Sequence, residues 1–594
     1  MGQYVVHSYP EIGITEHVGR HAGFPALVKE RYSDFVVHEI SEDGSIIRLT
    51  DMSCPAPDNE RHAMLDVTAE NNLREVISLE MYERISSMSS NQKDRTSVID
   101  VDVTTMDKEA RTKIHKSVAQ LFPSLNTFTH DGKDGHKLIS ISRSKQYQGN
   151  TVSWKYPHPY THFTVYQENR GTYEVVSHLA KALRKSAKGF FYAGNKDKRG
   201  ISSQRMSCFK LDPRKLLAVN GLVDRMTCPV LVGNISFESK PLELGHLQGN
   251  HFQMVLRDVV GEVNVIEESL NNVKDSGFIN YFGNQRFGSG YTRSDVVGRF
   301  ILKRDWKAAV EAILTPKWRD MGSQNGSFNE AMTKWQETRD AKAIFDKFKW
   351  KFNTEGTVLR ELAKSSDNYR NALLAVPRNN RCLYLHAYQS YVWNRLASWR
   401  IKEHGLSVVP GDLVVLNSSA APVAEVQTEE NEECKDDDDE PVVDEVMKES
   451  GKLTPVLATQ DMVSQVSIYD VVIPLPCTRA MRRTPEPASP IEAKMREIMK
   501  EDGTDECSHN PDDTSFMMFG GYRKLLAKPG DMRWSLVKYD DEKVRLVQTD
   551  MEKLNGVNEK TALVENGAKT AVVVEFTLPS SSYATMCVRE VMKR

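Results

Sequence analysis

The chain has 594 residues, 40% of them hydrophobic and 27% charged, the balance of a soluble globular protein of two to four domains. No run of 18 apolar residues occurs, so no helix is expected to span a bilayer, and MGQYVVHSYPEIG lacks a secretory leader's charged start and apolar core. The net charge of −3 conceals two opposed regions: residues 425–450 hold 13 acids against two lysines, whereas residues 170–215 hold 12 Lys or Arg against three acids.

In chain order, FPALVKERYSDFVVHEISEDGSIIR (24–48) reads as short β segments around a turn at Glu42–Gly44. Residues 50–155 read as a polar insertion with a helix over Lys108–Leu121. There Arg111 and His115 repeat the Arg-x-x-x-His signature of small single-strand-binding modules, though an ordinary polar helix face explains them better. His158 and His162 in HPYTH have a zinc-chelating spacing, but Pro157 and Pro159 oppose the helix it requires, so no metal site is expected. HFTVYQ (162–167) reads as a strand, after which Thr172 caps a helix with Val175, Val176, Leu179, Ala182 and Leu183 as its apolar face. Phe190–Ala193 returns as a strand. GNHFQMVLRDV (249–259) alternates as a half-buried antiparallel strand does, and AVVVEFTL (571–578) is strongly β before Pro579 and a serine run open a final helix. The eight cysteines form no C-x-x-C pair, which fits free thiols in a reducing compartment. The acidic run reads as a solvated, disordered insertion, and the basic stretch as the footprint of a polyanion.

Chemistry concentrates at YAGNKDKRGISSQ (192–204), where the single carboxylate of Asp197 stands between Lys196 and Lys198, with Arg199 next. The order of a Walker phosphate loop is absent, and no second acid lies near in sequence. What remains is one carboxylate kept ionised by cations that also suit phosphate. NYFGNQRFGSG (280–290) sets Tyr281, Phe282 and Phe287 among glycines, an arrangement that suits base stacking if the rings are exposed, while Asn280 can read a base edge.

Taken in order, YAGNKDKRGISSQ, LGHLQGNHFQMVLR (244–257), GFINYFGNQRFG (277–288), AYQSYVWN (387–394) and EFTLPSSSYATMCVRE (575–590) resemble the motifs of TruD-type pseudouridine synthases, the eukaryotic branch in particular. HGLSVVPGDLV (404–414), YDVVIPLP (469–476) and GGYRKLL (520–526) extend the resemblance. It implies an α+β fold: a pseudouridine synthase core with a mixed, mainly antiparallel sheet and flanking helices, interrupted by an N-terminal insertion and a TruD-specific domain. The core would comprise residues 1–49, 156–289 and 526–594, the insertion 50–155 and the TruD-specific domain 290–525, with an acidic loop at 416–462. The implied activity is isomerisation of uridine to pseudouridine in RNA, with neither cofactor nor metal. Asp197 falls on the family's catalytic acid. Phe35, Asn280 and Tyr583 fall on positions contacting the uridine, and Phe282 stacks on or shapes the same pocket. Lys196, Lys198, Arg199 and Arg286 are expected to contact the RNA backbone or position the acid. Transfer RNA, small nuclear RNA and messenger RNA are the implied substrates, for a monomer placed in the nucleus, with the cytoplasm as a second place. Two residues depart from the pattern: Gly200 stands where the family usually has Ala, and Cys477 where it usually has Gly. The alternative is a catalytically silent RNA-binding or chaperone protein on the same scaffold, against which the presence of the acid and its pocket residues weighs.

Overall fold

The computed structural model describes residues 7–57, 59–90, 97–122, 124–132, 135–143, 154–225, 228–288, 291–316, 326–348, 354–416, 453–477, 489–505, 514–557 and 567–594. The acidic run at 425–450 lies outside them. A nine-stranded sheet organises the molecule: β1 (Leu27–Val28), β2 (Phe35–Ile40), β3 (Tyr160–Glu168), β4 (Phe190–Tyr192), β5 (Ile201–Phe209), β6 (Val230–Glu238), β7 (Gly249–Arg257), β8 (Gly530–Tyr539) and β9 (Lys569–Pro579). The spatial order is β8-β9-β7-β2-β5-β3-β6, with β1 beside β7 and β4 beside β5. Only β2 and β5 run parallel; the other pairs are antiparallel. Helices α1 (Thr172–Leu183), α2 (Val263–Ser276), α3 (Arg378–His404) and α4 (Ala584–Met592) bear on the site.

The side-chain period of two divides each strand between faces. On one face, Phe252 lies opposite both Phe576 and Val37, and Met254 opposite both Val574 and Phe35. These rings and aliphatic chains belong to one continuous core that takes in α2, α4 and the described parts of residues 291–525. On the same face of β5, β3 and β6, Met206, Phe163, Val165 and Val232 pack under α1 as a separate core. Two apolar masses therefore cover one sheet face and leave a seam along β2 and β5. Polar side chains occupy it: Glu39, Asn250, Gln204 and Thr172, all buried or nearly so.

Residues within 50–155 carry a core of their own, in which a three-stranded sheet packs against helices that include Lys108–Leu121. His115 is held there by two threonine hydroxyls, its Nδ1 2.6 Å from Thr127 Oγ1 and its Nε2 2.8 Å from Thr129 Oγ1. The ring thus fastens its helix to the neighbouring strand. Thr172 does not cap α1 as expected: Gly171 is the N-cap, and the Thr172 hydroxyl instead accepts the Lys196 amide at 2.8 Å. His162 is likewise spoken for, with Nε2 2.9 Å from the Lys240 carbonyl.

The first described residues return to the last helix. Amides of Val18 and Gly19 donate to Glu590 Oε1 at 3.0 and 2.9 Å, and His17 Nδ1 lies 3.4 Å from Oε2. Burial pushes the Glu590 carboxyl up, but hydrogen bonds from His17, Lys593 and the Gly19 amide outweigh it and bring the pKa from 4.5 to about 2. A folded pKa below the unfolded one adds stability above the unfolded value, on the order of 3 kcal/mol here, and that stability is lost as pH falls from about 4.5 to 2. Glu590→Gln should therefore melt several degrees below wild type at pH 7, and thermal melts from pH 7 to 2 should show the gap closing in that window. A gap independent of pH would mean the carboxylate charge holds nothing.

Candidate active site

The turn that carries Asp197 joins β4 to β5 at the seam and is fixed on both sides of the acid. Lys196 Nζ donates to Asn250 Oδ1 at 2.9 Å and lies 2.9 Å from Glu39 Oε2 as an ion pair, with both charged side chains under 5% exposed. Its backbone amide is the one bound by Thr172. On the other side, Lys198 Nζ donates to Glu174 Oε1 at 2.7 Å. Between these anchors the Asp197 side chain is 45% exposed. Lys196 thus corrects one half of its expected role: sunk in the seam, it positions the turn and has no surface left for an RNA phosphate. Lys198 is exposed and can meet one.

The cation that faces Asp197 is Lys29, which the sequence reading passed over. It follows β1 in a left-handed conformation, φ 52°. Its Nζ lies 3.5 Å from Asp197 Oδ2 and 3.5 Å above the centre of the Phe35 ring. Burial lowers the Lys29 pKa from its ordinary value, and the neighbouring Asp197 carboxylate opposes that shift. Arg199 closes this arrangement from behind: Nε and Nη2 donate to the Lys29 carbonyl at 3.2 and 2.8 Å, and Nη2 to the Glu30 carbonyl at 2.7 Å. Arg199 therefore holds the loop that places Lys29 over the acid, a positioning role.

Phe35 is buried and forms a wall, 5.8 Å from Phe252 between ring centres. Gly200 accounts for its own departure from the resembled pattern. A Cβ there would stand 2.9 Å from both Phe35 Cδ1 and the Phe35 carbonyl oxygen, so this chain has no room for the methyl of an alanine.

A second group forms around Arg523, also passed over although it lies within GGYRKLL. Its Nε donates to the Asn280 carbonyl at 2.9 Å and its Nη2 to Asn280 Oδ1 at 2.8 Å. Because arginine only donates, the contact fixes the amide: Oδ1 faces Arg523, and Nδ2, which donates to the Lys524 carbonyl at 3.3 Å, has its second hydrogen to offer. That suits a uracil carbonyl. The guanidinium lies 4.2 Å from the Phe282 ring centre and 5.9 Å from that of Tyr583, and those two rings meet edge-on at 6.1 Å.

Phe282 is fully buried, edge-on to Trp393 at 5.6 Å, with its backbone clasped by the Asn394 amide at 2.9 and 3.1 Å. Its ring has no exposed face in this structure. Tyr281 and Phe287 are buried too, so the rings of this loop belong to the core and the condition for base stacking, exposed rings, is not met. The glycines there serve close packing: a Cβ on Gly283 would lie 2.6 Å from Gln285 Oε1 and 3.0 Å from Tyr583 Cδ1. Tyr583 is half-buried at the N-cap of α4, after Ser581 turns the chain at φ 64°. Half-buried Arg286 donates from Nε to Ser390 Oγ at 3.3 Å and lies 5.8 Å from the Phe282 ring centre. Phe35, Phe252 and Phe576 join the two groups through one core, since Phe252 also stacks on Phe576 at 5.6 Å. Among the described residues, no group of three or more His, Cys, Asp or Glu could hold a metal ion, and no helix is long and apolar enough to cross a membrane.

The family described as tRNA pseudouridine synthase D (TruD) matches residues 141–591. The chain belongs to that family. Among its relatives, a pseudouridylate synthase 7 homolog from Bos taurus is 35% identical over 98% of this chain and 81% of its own length. The human protein of that name is 34% identical over 98% and 80%. The multisubstrate pseudouridine synthase 7 of Schizosaccharomyces pombe is 32% identical over 96% and 87%. In fold, the chain is similar to a putative tRNA pseudouridine synthase D from Methanosarcina mazei, with TM-score 0.53, 18% identity, and coverage of 98% and 97% of the two chains. The α+β reading and the pseudouridine synthase family are borne out, and the chain is an isomerase acting on RNA.

Raising the pH should neutralise Lys29 below the ordinary lysine pKa of about 10.4 and so withdraw the charge facing Asp197. We expect kcat/KM for pseudouridine formation to fall on an alkaline limb, and Lys29→Met to lose about ten- to a hundredfold at pH 7.5, the worth of a charged hydrogen bond. Lys29→Arg, if active, should lose the limb. A limb unchanged in Lys29→Arg would assign it to the RNA.

Proposed function

We propose that this protein isomerises uridines in transfer RNA, and in small nuclear and messenger RNA, with Asp197 as its catalytic carboxylate. It would act as a monomer without cofactor or metal, in the nucleus with the cytoplasm as a second place. The observation that carries the assignment is the contrast at the turn: both neighbours of Asp197 are tied down, while Asp197 itself is 45% exposed in the seam with the Lys29 ammonium 3.5 Å away.

In the reaction, the bond from ribose carbon 1′ to nitrogen 1 of uracil breaks and the base turns within the pocket. Carbon 5 then bonds to carbon 1′, carbon 5 gives up its proton, and nitrogen 1 ends protonated, so no atom is gained or lost. An ionised carboxylate serves as nucleophile toward the sugar or the base, or as the base that removes a ribose proton on a glycal route. The target must leave its stack to reach Asp197. Phe35 and Tyr583 would bound the flipped base, and the free Asn280 N–H would meet a uracil carbonyl. Lys198 and Arg286 are suited to the RNA backbone. Residues 50–155, with their separate core, are suited to hold single-stranded RNA away from the site.

Mapping of pseudouridine in transfer, small nuclear and messenger RNA, incubated with wild type or Asp197→Asn, tests this reading. Wild type should convert defined uridines. Asp197→Asn keeps the shape and loses the charge, so it should bind RNA within a few-fold of wild type and convert at least a thousandfold less. Conversion by the variant within tenfold of wild type would remove Asp197 from the chemistry. RNA binding without conversion by wild type would favour the catalytically silent alternative.

A further inference from the structure

Tyr173, on the first turn of α1, is 80% exposed, more than any other large hydrophobic side chain exposed on the described surface. An exposed ring alone means little. Its neighbours give it meaning. Thr172 accepts the amide of Lys196, and Glu174 accepts the ammonium of Lys198, so the residues either side of Tyr173 are bonded to the residues either side of Asp197. The helix turn and the catalytic turn are laced together, with one exposed aromatic and one exposed acid at matching places. From Tyr173 the exposed residues Ser177 and Lys181 follow at helical spacing on one stripe of α1, and exposed Arg184 caps its C-terminal end in a left-handed conformation. Lys181 lies about 12 Å along the axis from Tyr173, at 1.5 Å per residue, a reach suited to the backbone a nucleotide or two away.

We propose that Tyr173 stacks on the base of a nucleotide flanking the target uridine. This rests on the reading of Asp197 as the residue that receives the flipped uridine. Once that uridine leaves the strand, its neighbour loses a stacking partner and exposes an apolar face. A ring fixed beside the acid replaces the lost partner and holds the strand in its opened form, while Lys181 and Arg184 meet the backbone beyond. Stacking tolerates every base, so this contact sets affinity and register and leaves uracil recognition to the pocket.

Short single-stranded substrates carrying 2-aminopurine immediately 5′ or immediately 3′ of the target uridine test this, with Asp197→Asn as the background so that no turnover intervenes. Fluorescence should be quenched on binding at one of the two positions. The quench should disappear with Tyr173→Ala and persist with Tyr173→Phe or Tyr173→Trp. In the active background, Tyr173→Ala should lower kcat/KM about tenfold, carried by KM, with an unchanged melting temperature. Absence of quenching at both positions, a quench indifferent to Tyr173→Ala, or a kcat/KM within twofold of wild type would overturn the proposal. A Tyr173-dependent quench beside full activity of Asp197→Asn would support stacking while removing the catalytic reading of Asp197.

Discussion

The ion pair between Lys196 and Glu39 fixes the turn that carries Asp197 in the seam. Both charges are buried in the seam between the two halves of the core, within reach of the Asn250 amide. Removing one partner of such a pair typically costs about 3–5 kcal/mol, because the remaining charge is stranded away from water. The chain keeps this pair directly beside Asp197, whose side chain is 45% exposed. Rigidity and exposure then fall on adjacent residues, since Lys196 fixes the backbone and Asp197 inherits the position. Lys198 and Glu174 fix the far side at the surface, where an isolated pair is worth little and its contribution is geometric.

Across the seam, the same economy recurs with different groups. Lys29 sits between Asp197 and the face of Phe35, so the carboxylate and the ring share one cation. Arg199 holds the Lys29 loop through backbone carbonyls, and Gly200 lets the Phe35 backbone come close. On the other side, Arg523 orients Asn280 while lying against Phe282 and Tyr583. Each group is thus built around a buried or half-buried cation, Lys29 against Phe35 and Arg523 against Phe282 and Tyr583. Both walls lie on one core that continues into residues 291–525, where Trp393 and Asn394 of α3 grip the Phe282 loop.

Much of this was legible in the sequence, for reasons that differ by residue. Strand β7 announces itself by alternation and β9 by its run of β-branched residues, although β3 and β7 prove buried on both faces for most of their length. Asp197 stood out because an acid alone among cations is unusual. Lys29 and Arg523 did not stand out, since their importance comes from partners 168 and 243 residues away and leaves no local pattern. Thr172 misled because a threonine before an apolar helical run is the usual sign of an N-cap, whereas here its hydroxyl accepts the Lys196 amide in the Asp197 turn. Tyr281, Phe282 and Phe287 were ambiguous in sequence, because a glycine-rich turn suits exposed rings while aromatics usually join the core; they are buried, and Gly283 allows the close approach to Tyr583.

A crystal structure of the Asp197→Asn variant bound to an RNA substrate measures the central claim most directly, because it locates the target nucleotide relative to the pinned turn. The target uridine should lie out of its stack, its ribose against the side chain at position 197, its base bounded by Phe35 and Tyr583, and one uracil carbonyl accepting a hydrogen bond from Asn280. A target ribose beyond contact with position 197, or a base seated outside the walls formed by Phe35 and Tyr583, would contradict it.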